Sequence, residues 1–225
     1  MSTPLRRPVV VLISGRGSNM RSLIDHGSDP HSPFTVTKVF TDKPDAAGLG
    51  LARSLRTATQ ALRPGDFEDR LLFDSALADA VERSEPALVV LAGFMRILSA
   101  PFLRRFEGRI MNIHPSLLPK FPGLNTHARA LAAQEREHGA TVHFVTEQLD
   151  GGPLIVQGRI PIETGDSEST LASRVLAVEH TIYPMAVGWF CEGRLQHRAG
   201  RAWLDGKALL EPVQLGSAPA RSNHG

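Results

Sequence analysis

Short apolar runs alternate with amphipathic stretches through the first two thirds of the chain. This alternation is typical of βαβ units, in which the strands of a parallel sheet are buried between helices. We therefore predict a single Rossmann-like α/β domain with a mostly parallel, twisted sheet flanked by helices. The predicted strands are Val9–Ile13, Thr35–Phe40, Ala58–Leu62, Leu88–Leu91 and Arg109–Ile113, and the predicted helices are Met20–Asp25, Ala46–Leu55, Phe67–Arg83 and Ala100–Phe106.

The pattern changes after Gly123. Ala140–Thr146 and Leu154–Ile162 are strand-like runs, and the sequence Asp-Gly-Gly-Pro at 150–153 between them favours a turn. We therefore predict antiparallel strands toward the C-terminal part of the sheet.

A long helix is predicted at Ser167–Cys191, with Asp166 or Ser167 as its N-cap. Pro184 lies inside this stretch and predicts a kink, because proline has no N–H to donate to the helix. Arg194–Leu204 predicts two short strands.

The domain boundaries follow from where the regular patterns begin and end. We expect a short N-terminal extension at 1–8, one domain at 9–205 and a polar tail at 206–225. Because the end of the chain is polar and rich in Ser, Ala and Pro, we expect the tail to be disordered.

The composition indicates a soluble protein with a substantial core. The chain has 225 residues, of which 42% are hydrophobic, and a single cysteine, Cys191. One cysteine excludes an internal disulfide framework and fits a reducing cytoplasm. No apolar run is long enough to span a membrane, and Met1–Pro8 is too short and polar for a signal peptide. We expect a cytoplasmic protein that does not bind membranes.

The charge balance argues against a nucleic-acid partner. The formal net charge is +2 and the isoelectric point is about 9.0, but the basic residues are scattered and interleaved with acidic ones. Nucleic-acid binding usually needs a basic stripe with stacking aromatics, and neither is visible. A modest positive charge suits small phosphorylated or polycarboxylate ligands.

A glycine-rich turn follows the first predicted strand. The sequence Ser-Gly-Arg-Gly-Ser-Asn at 14–19 leads into a helical pattern, so free backbone amides and the positive end of the helix dipole favour an anion. The turn lacks the lysine of a Walker loop and the third glycine of a dinucleotide fingerprint, which favours a single phosphate. The alternative is a tight structural turn capped by Ser18.

The strongest candidate for chemistry is an amide and an imidazole two residues apart. Asn112 and His114 share one face of the predicted strand, and Pro115 ends the strand directly after them. This pairing suggests proton transfer combined with stabilisation of an oxyanion. The alternative is a core histidine that is hydrogen-bonded to backbone.

An imidazole used in catalysis works best beside a carboxylate. Asp150, in the glycine-rich turn, is the candidate, with an Asx turn before Gly151 as the equal alternative. His143 can line the same cleft, and we expect it to have a structural, supporting role. His127 and His138 show no metal-ligand spacing with Asp or Glu, so we predict no metal.

Several segments within residues 9–205 match, in order, the motifs of one enzyme family. They are Val11–Gly15 with Gly17–Asn19, Leu91–Leu98, Asn112–Gly123, Thr141–Val145, Leu149–Pro153 and Glu179–Pro184. On these motifs the chain resembles the folate-dependent phosphoribosylglycinamide formyltransferases.

The resemblance implies a Rossmann-like formyltransferase domain and a formyl-group transferase of one-carbon metabolism. Such an enzyme transfers a formyl group from its co-substrate, 10-formyltetrahydrofolate, to the amine of glycinamide ribonucleotide in de novo purine biosynthesis. It acts on small molecules, with no nucleic-acid or membrane partner, and we expect a monomer or a homodimer.

The resemblance also implies roles for individual residues. Asn112, His114 and Asp150 fall on the family's catalytic trio. The residues on the acceptor side are Gly17, Ser18, Asn19 and Glu179, and those on the folate side are Arg70, Met95, Arg96, Ile97, Leu98, Asn112, Thr146, Glu147, Gln148, Leu149 and Asp150.

Two positions depart from the family pattern. Asn125 stands where many relatives have histidine; it can donate a hydrogen bond but cannot titrate, so a proton-relay role there is in doubt. Arg16 occupies a variable position in the glycine turn.

Two alternative functions remain open from the sequence. Formyltetrahydrofolate hydrolases, which transfer the formyl group to water, resemble the same catalytic core but usually carry an additional N-terminal domain. A catalytically silent nucleotide-binding module would keep the glycine turn, although it would not need Asn112, His114 and Asp150 together.

Overall fold

A computed structural model describes residues 6–216. An eight-stranded sheet in the order β11-β7-β6-β5-β4-β1-β2-β3 forms its centre, and a small sheet in the order β10-β9-β8 lies beside it. The strands are β1 (Arg7–Ile13), β2 (Phe34–Thr41), β3 (Ala58–Ala61), β4 (Leu88–Leu91), β5 (Ile110–His114), β6 (Glu137–Phe144), β7 (Leu154–Pro161), β8 (Leu195–Arg198), β9 (Arg201–Leu204), β10 (Lys207–Ala208) and β11 (Val213–Gly216).

Six α-helices are assigned within the described residues, together with a short 3-10 turn at Pro64–Asp66. They are α1 (Ser18–Ser28), α2 (Ala47–Ser54), α3 (Arg70–Glu82), α4 (Ala100–Arg105), α5 (Thr126–Ala132) and α6 (Glu168–Cys191). In the same residues, no helix is long and apolar enough to cross a membrane.

Most of the large sheet is parallel, as predicted. β1 to β5 run in one direction, β6 is antiparallel to both of its neighbours, and β7 and β11 pair in parallel. The carboxyl ends of β1, β4 and β5 therefore meet at one edge, where open α/β sheets bind ligands. This arrangement confirms the predicted fold class.

The sheet is buried on both faces, which explains the continuous apolar run in β1. Val9, Val11 and Ile13 pack against the side covered by α1 and α6, whereas Val10 and Leu12 pack against the side covered by α3 and α4. All five are fully buried. Covering both faces of a parallel sheet with helices forms two core layers around one rigid sheet.

The ends of the helices are set by capping groups that the apolar pattern does not reveal. α3 begins at Arg70 rather than Phe67, because the Asp69 side chain accepts a hydrogen bond from the Leu72 amide. α6 is capped by Ser167 in a capping box with Thr170.

The long helix α6 was predicted from the sequence, whereas the short helix α5 was not. α6 includes Pro184 and continues to Cys191. α5 was not predicted, because seven residues are too few to establish a helical period.

The predicted disordered tail at 206–225 is wrong for its first part. β10 pairs with β9, and β11 pairs in parallel with β7 along Val156–Arg159. This segment is held in place by main-chain hydrogen bonds at the edge of the sheet, although its side chains are only partly buried. Residues 217–225 lie outside the described part of the chain.

The predicted N-terminal extension is also shorter than expected. Arg7 and Pro8 already belong to β1, and the Arg6 side chain donates to the Phe34 carbonyl. Residues 1–5 are not described.

Candidate active site

A cleft of about 540 Å³ opens at the carboxyl ends of β4 and β5. One wall is the loop that follows β4, and the other is the loop between β6 and β7. Its floor brings together the polar side chains of Asn112, His114, His143 and Asp150. A mostly apolar cleft with a few convergent polar groups is the usual form of a small-molecule site.

Asn112 is oriented by His143, its cross-strand partner on β6. The Nδ1 atom of His143 lies 2.9 Å from the Phe144 carbonyl oxygen, so Nδ1 carries the hydrogen. Nε2 is then an acceptor, 3.1 Å from Nδ2 of Asn112. Burial lowers the pKa of His143, which keeps the ring neutral and the amide N–H directed at it.

His114 has an oxygen acceptor at each ring nitrogen. Nε2 lies 2.9 Å from the Phe121 carbonyl oxygen, and Nδ1 lies 3.4 Å from Oδ2 of Asp150. A carbonyl can only accept, so Nε2 must donate. Nδ1 faces the carboxylate of Asp150, and only 5% of His114 is exposed.

Asp150 approaches the strand ends from the loop between β6 and β7. Its backbone is in the left-handed region, with φ of 50°, which Asp tolerates better than most residues. Oδ2 accepts from the Gly123 amide at 2.8 Å, and Oδ1 lies 3.7 Å from Nε2 of His143. An Asx turn would need a bond from the amide of Gly152, two residues on, whereas the bond described for this carboxylate comes from Gly123. The carboxylate therefore faces His114 rather than forming an Asx turn.

The glycine turn lies at the start of α1. Gly17 has φ of 78°, and a Cβ there would lie 2.9 Å from Cε of Met20 and 3.0 Å from Cα of Gly48. Only glycine fits both the angle and the space. In the described residues no side chain caps α1, whose first turn begins at Ser18 and has free amides. Arg16 is exposed beside this turn.

A buried hydrogen bond connects the glycine turn to α6. Nδ2 of Asn19 donates to Oε2 of Glu179, and both side chains are almost fully buried. Burial raises the pKa of Glu179 to about 7, and the bond from Asn19 partly opposes that rise. Oδ1 of Asn19 is buried and has no hydrogen-bond partner within residues 6–216.

The loop after β4 presents apolar side chains to the cleft. Met95 and Ile97 are 64% and 60% exposed, and Leu149 lies on the opposite wall with 56% exposed. Exposed apolar side chains that converge on one cleft mark a binding site. The predicted folate-side residues that line the cleft are Met95, Arg96, Ile97, Leu98, Asn112, Thr146, Glu147, Gln148, Leu149 and Asp150.

Arg70, the remaining residue of that set, does not line the cleft. Its guanidinium donates to the Ile97 carbonyl oxygen and lies 3.9 Å from Asp74. Arg70 therefore contacts the cleft only through the backbone of its wall.

Comparison with known proteins identifies the family of the chain. A family model described as formyl transferase matches residues 7–187, which is most of the chain. The chain belongs to the formyl transferase family. The match spans the glycine turn, the cleft and Glu179.

Two relatives are similar to this chain over nearly their whole length, and a third only over a part. Phosphoribosylglycinamide formyltransferase of Escherichia coli is 49% identical over 201 residues, which cover 89% of this chain and 95% of the relative. The solved structure of phosphoribosylglycinamide formyltransferase from Coxiella burnetii has a TM-score of 0.89 and 43% identity, covering 93% of this chain and all of that one. The trifunctional purine biosynthetic protein adenosine-3 of Homo sapiens is 42% identical, but the match covers only 19% of it.

Two groups in the cleft of this formyl transferase were not predicted from sequence. They are the Phe121 carbonyl, which accepts from His114, and the Gly123 amide, which donates to Asp150. Backbone groups have no residue-type signature, so the sequence could not indicate them. Asn125 is also in the cleft wall, where its φ of 57° suits Asn. Within residues 6–216, no group of three or more His, Cys, Asp or Glu side chains could hold a metal ion.

Ionisation of Glu179 is expected to destabilise the free formyl transferase as pH rises. The folded state holds a proton up to about pH 7, whereas the unfolded chain releases it near the ordinary value of 4.5. The unfolding free energy should therefore fall between those two values, by about 3 kcal/mol when complete. Denaturant unfolding of wild type and Glu179→Gln at about pH 5 and about pH 8 tests this. The unfolding free energy of Glu179→Gln, relative to that of wild type, should rise between the two pH values. A difference that is the same at both would contradict the buried-carboxyl account.

His138 is expected to destabilise the protein as pH falls, whereas Glu179 does so as pH rises. Burial, with the neighbouring charges of His127 and His114, lowers its pKa to about 4. The unfolded chain therefore binds a proton near pH 6.5, whereas the folded state does not bind it until about pH 4. The unfolding free energy should fall as pH drops from about 6.5 towards 4, by about 3 kcal/mol. Unfolding of His138→Gln over the same range should show a shallower decline. Parallel curves for the two proteins would rule out His138 as the cause.

Proposed function

We propose that this formyl transferase transfers the formyl group of 10-formyltetrahydrofolate to the amine of glycinamide ribonucleotide, in de novo purine biosynthesis. The observation that carries the proposal is the position of Asn112, His114 and Asp150 in one cluster, 3.4 Å separating His114 from the carboxylate. The names of the Escherichia coli and Coxiella burnetii relatives support the same activity.

The acceptor side consists of the glycine turn and the Asn19–Glu179 pair. Gly17, Ser18 and Asn19 offer backbone amides for the single phosphate of the ribonucleotide. Glu179, whose Oε1 is not used by Asn19, accepts hydrogen bonds from hydroxyl or amine groups of the same ligand. A monophosphate explains why the turn needs no dinucleotide fingerprint.

The donor side consists of the apolar cleft. The reduced pterin and aryl ring of the folate pack against the Met95–Leu98 wall and the Thr146–Asp150 loop, and Asn112 lies at the bottom between them. Arg70 and Arg96 supply positive charge near this wall for the carboxylates of the folate tail. The folate is consumed as a co-substrate, and no metal is required for the chemistry.

Formyl transfer passes through a tetrahedral intermediate that carries an oxyanion. The acceptor nitrogen attacks the formyl carbon, and the carbonyl oxygen becomes negative. Nδ2 of Asn112 has a second N–H that is not used by His143, and we assign this hydrogen to the oxyanion. A preorganised donor of this kind contributes about 3 kcal/mol to the barrier reduction.

The leaving group is a weakly basic aryl nitrogen, which must be protonated as it departs. The acceptor amine must lose a proton in the same sequence of steps. His114 carries the proton between the two, directly or through water, and its cationic form also stabilises the oxyanion. Asp150 holds Nδ1 of the ring and stabilises the imidazolium.

Hydrolysis of the same formyl donor is the second candidate, and it would use the same three residues. The acceptor side argues against it. A hydrolase has no need for an uncapped glycine turn beside a buried carboxyl–amide pair, whereas a ribonucleotide acceptor uses both.

We further propose a cytoplasmic enzyme with small-molecule partners only, acting as a monomer or a homodimer. The interleaved charges of the sequence fit this setting. Size-exclusion chromatography coupled to light scattering would give the oligomeric state directly.

A crystal structure with glycinamide ribonucleotide and a non-reactive folate analogue tests the assignment of the two sides. We expect the phosphate at the amides of Gly17–Asn19 and the pterin between Met95–Leu98 and Asp150. A phosphate bound at another place, or a pterin outside the cleft, would overturn the assignment.

A further inference from the structure

A row of polar side chains crosses four strands beneath the cleft. His114 on β5 is paired with Thr141 on β6, Thr141 with Gln157 on β7, and Gln157 with Gln214 on β11. Paired residues on neighbouring strands direct their side chains to the same face of the sheet. The row therefore connects the imidazole to the last described strand of the chain.

The row holds the backbone segment that follows His114. Gln157 is 3% exposed, and its amide nitrogen donates to the Leu118 carbonyl at 2.6 Å and to Oγ1 of Thr141 at 3.0 Å. The Thr141 hydroxyl donates to the Ser116 carbonyl at 2.6 Å and accepts from the Leu118 amide at 3.1 Å. Every hydrogen-bonding group at this junction is used, which fixes the segment in one position.

The orientation of the Gln157 amide is itself fixed from the edge of the sheet. Its Oε1 accepts from Nε2 of Gln214 at 3.2 Å and from Arg159 at 3.4 Å. Both donors require the carbonyl oxygen on that side, so the NH₂ group must face Leu118 and Thr141.

The segment held in this way supplies the acceptor for His114. Ser116, which is fully buried, donates to the Lys120 carbonyl at 2.6 Å, and the next residue is Phe121, with φ of 54°. A non-glycine residue keeps such a backbone only where its surroundings impose it. Arg129 stacks over the Phe121 ring at the exposed end of the segment, and the polar row supports the buried end.

We propose that Gln157 is a positioning residue for the reaction. It holds the 116–120 segment so that the Phe121 carbonyl stays opposite Nε2 of His114. This inference rests on the proposed function for its kinetic consequence, but not for its structural one. It also gives β11 a role, because Gln214 orients the Gln157 amide.

The test compares Gln157→Met, which keeps the length and removes both donors, with Val156→Ala. Val156 is fully buried on the adjacent position of β7 and faces the opposite core layer, so its variant controls for loss of packing. We expect Gln157→Met to lower the single-turnover rate about tenfold while both KM values stay within about twofold of wild type. Val156→Ala should lower the melting temperature and leave the single-turnover rate near wild type.

The second readout needs no activity. The ¹⁵N resonance of His114 Nε2, assigned by its loss in His114→Ala, reports the bond to the Phe121 carbonyl. It should shift in Gln157→Met and stay in place in Val156→Ala. If wild type transfers no formyl group, the proposed function fails, and the resonance still tests the positioning.

A pair of substitutions on the same row covers the case in which Gln157→Met does not fold. Thr141→Val removes the bridging hydroxyl without changing the shape of the side chain, and should reproduce both effects. Thr141→Ser keeps the hydroxyl, so its single-turnover rate and its His114 resonance should be close to those of wild type. An unshifted resonance in the folded donor-deleting variant, or a rate no lower than that of Val156→Ala, would overturn the proposal.

Discussion

Replacing His114 by alanine is expected to lower the single-turnover rate of formyl transfer by roughly 10²–10⁴-fold. The ring lies between the Phe121 carbonyl and the Asp150 carboxylate, so it is held where it can carry a proton and stabilise negative charge. The dissociation constant of glycinamide ribonucleotide should change little, because the glycine turn and Glu179 are unaltered. Rapid-quench measurements with enzyme in excess over donor separate the chemical step from product release.

The matched control for this substitution is His26→Ala. His26 is an exposed histidine in the last turn of α1, away from the cleft. Its variant should keep the wild-type rate. If His114→Ala retains a rate within about threefold of that control, the proton-transfer assignment is wrong.

Replacing Asp150 by asparagine is expected to have the second largest effect, on the order of 10³-fold in the single-turnover rate. The substitution preserves the shape but removes the charge that faces Nδ1 of His114 at 3.4 Å. A neutral amide stabilises the imidazolium less, and an NH₂ group at the Oδ2 position would face both His114 and the Gly123 amide, where a donor is unfavourable.

Asp205→Asn is the control for loss of a carboxylate. Asp205 forms an ion pair with Arg194 in the small sheet, and both side chains are about half exposed. Exposed pairs contribute little to stability, so this variant should react like wild type. An Asp150→Asn enzyme that also reacts like wild type would show that the carboxylate has only a structural role.

The core of the sheet could be predicted from the sequence because its signals are local. A strand buried on both faces reads as a continuous apolar run, and Val9–Ile13 and Leu88–Leu91 do so. The shared face of Asn112 and His114 follows from the two-residue period of a strand, which holds in any β-structure. The glycine turn could be predicted because its signal is also local: Gly17 adopts a positive φ, which glycine tolerates without strain.

The contact between Asp150 and His114 could not be predicted from the local sequence. Its neighbours allowed an Asx turn as readily as an approach to His114, and only the antiparallel pairing of β5 with β6 brings the loop to the strand end. The bond from Gly123 then selects one orientation of the carboxylate. Such a contact depends on the whole fold, and neither residue signals it alone.

The C-terminal strand was missed for a related reason. Val213–Gly216 is only four residues long, and its two apolar side chains, Val213 and Leu215, are only partly buried against the core, so main-chain pairing with β7 supplies much of its order. Composition alone therefore suggested disorder. The same pairing places Gln214 beside Gln157. Because β11 was not predicted, the hydrogen bond between these two side chains was not predicted either.

The fate of a labelled formyl group tests the central claim most directly. Purified protein is mixed with 10-formyltetrahydrofolate carrying a ¹³C-formyl group, with and without glycinamide ribonucleotide, and the products are identified by mass spectrometry. The account predicts that the donor is consumed only when the ribonucleotide is present, and that the label appears on its amine. Label released as formate at the same rate without the acceptor would identify a hydrolase, and an unchanged donor in both mixtures would identify a binding protein; either result would contradict the account.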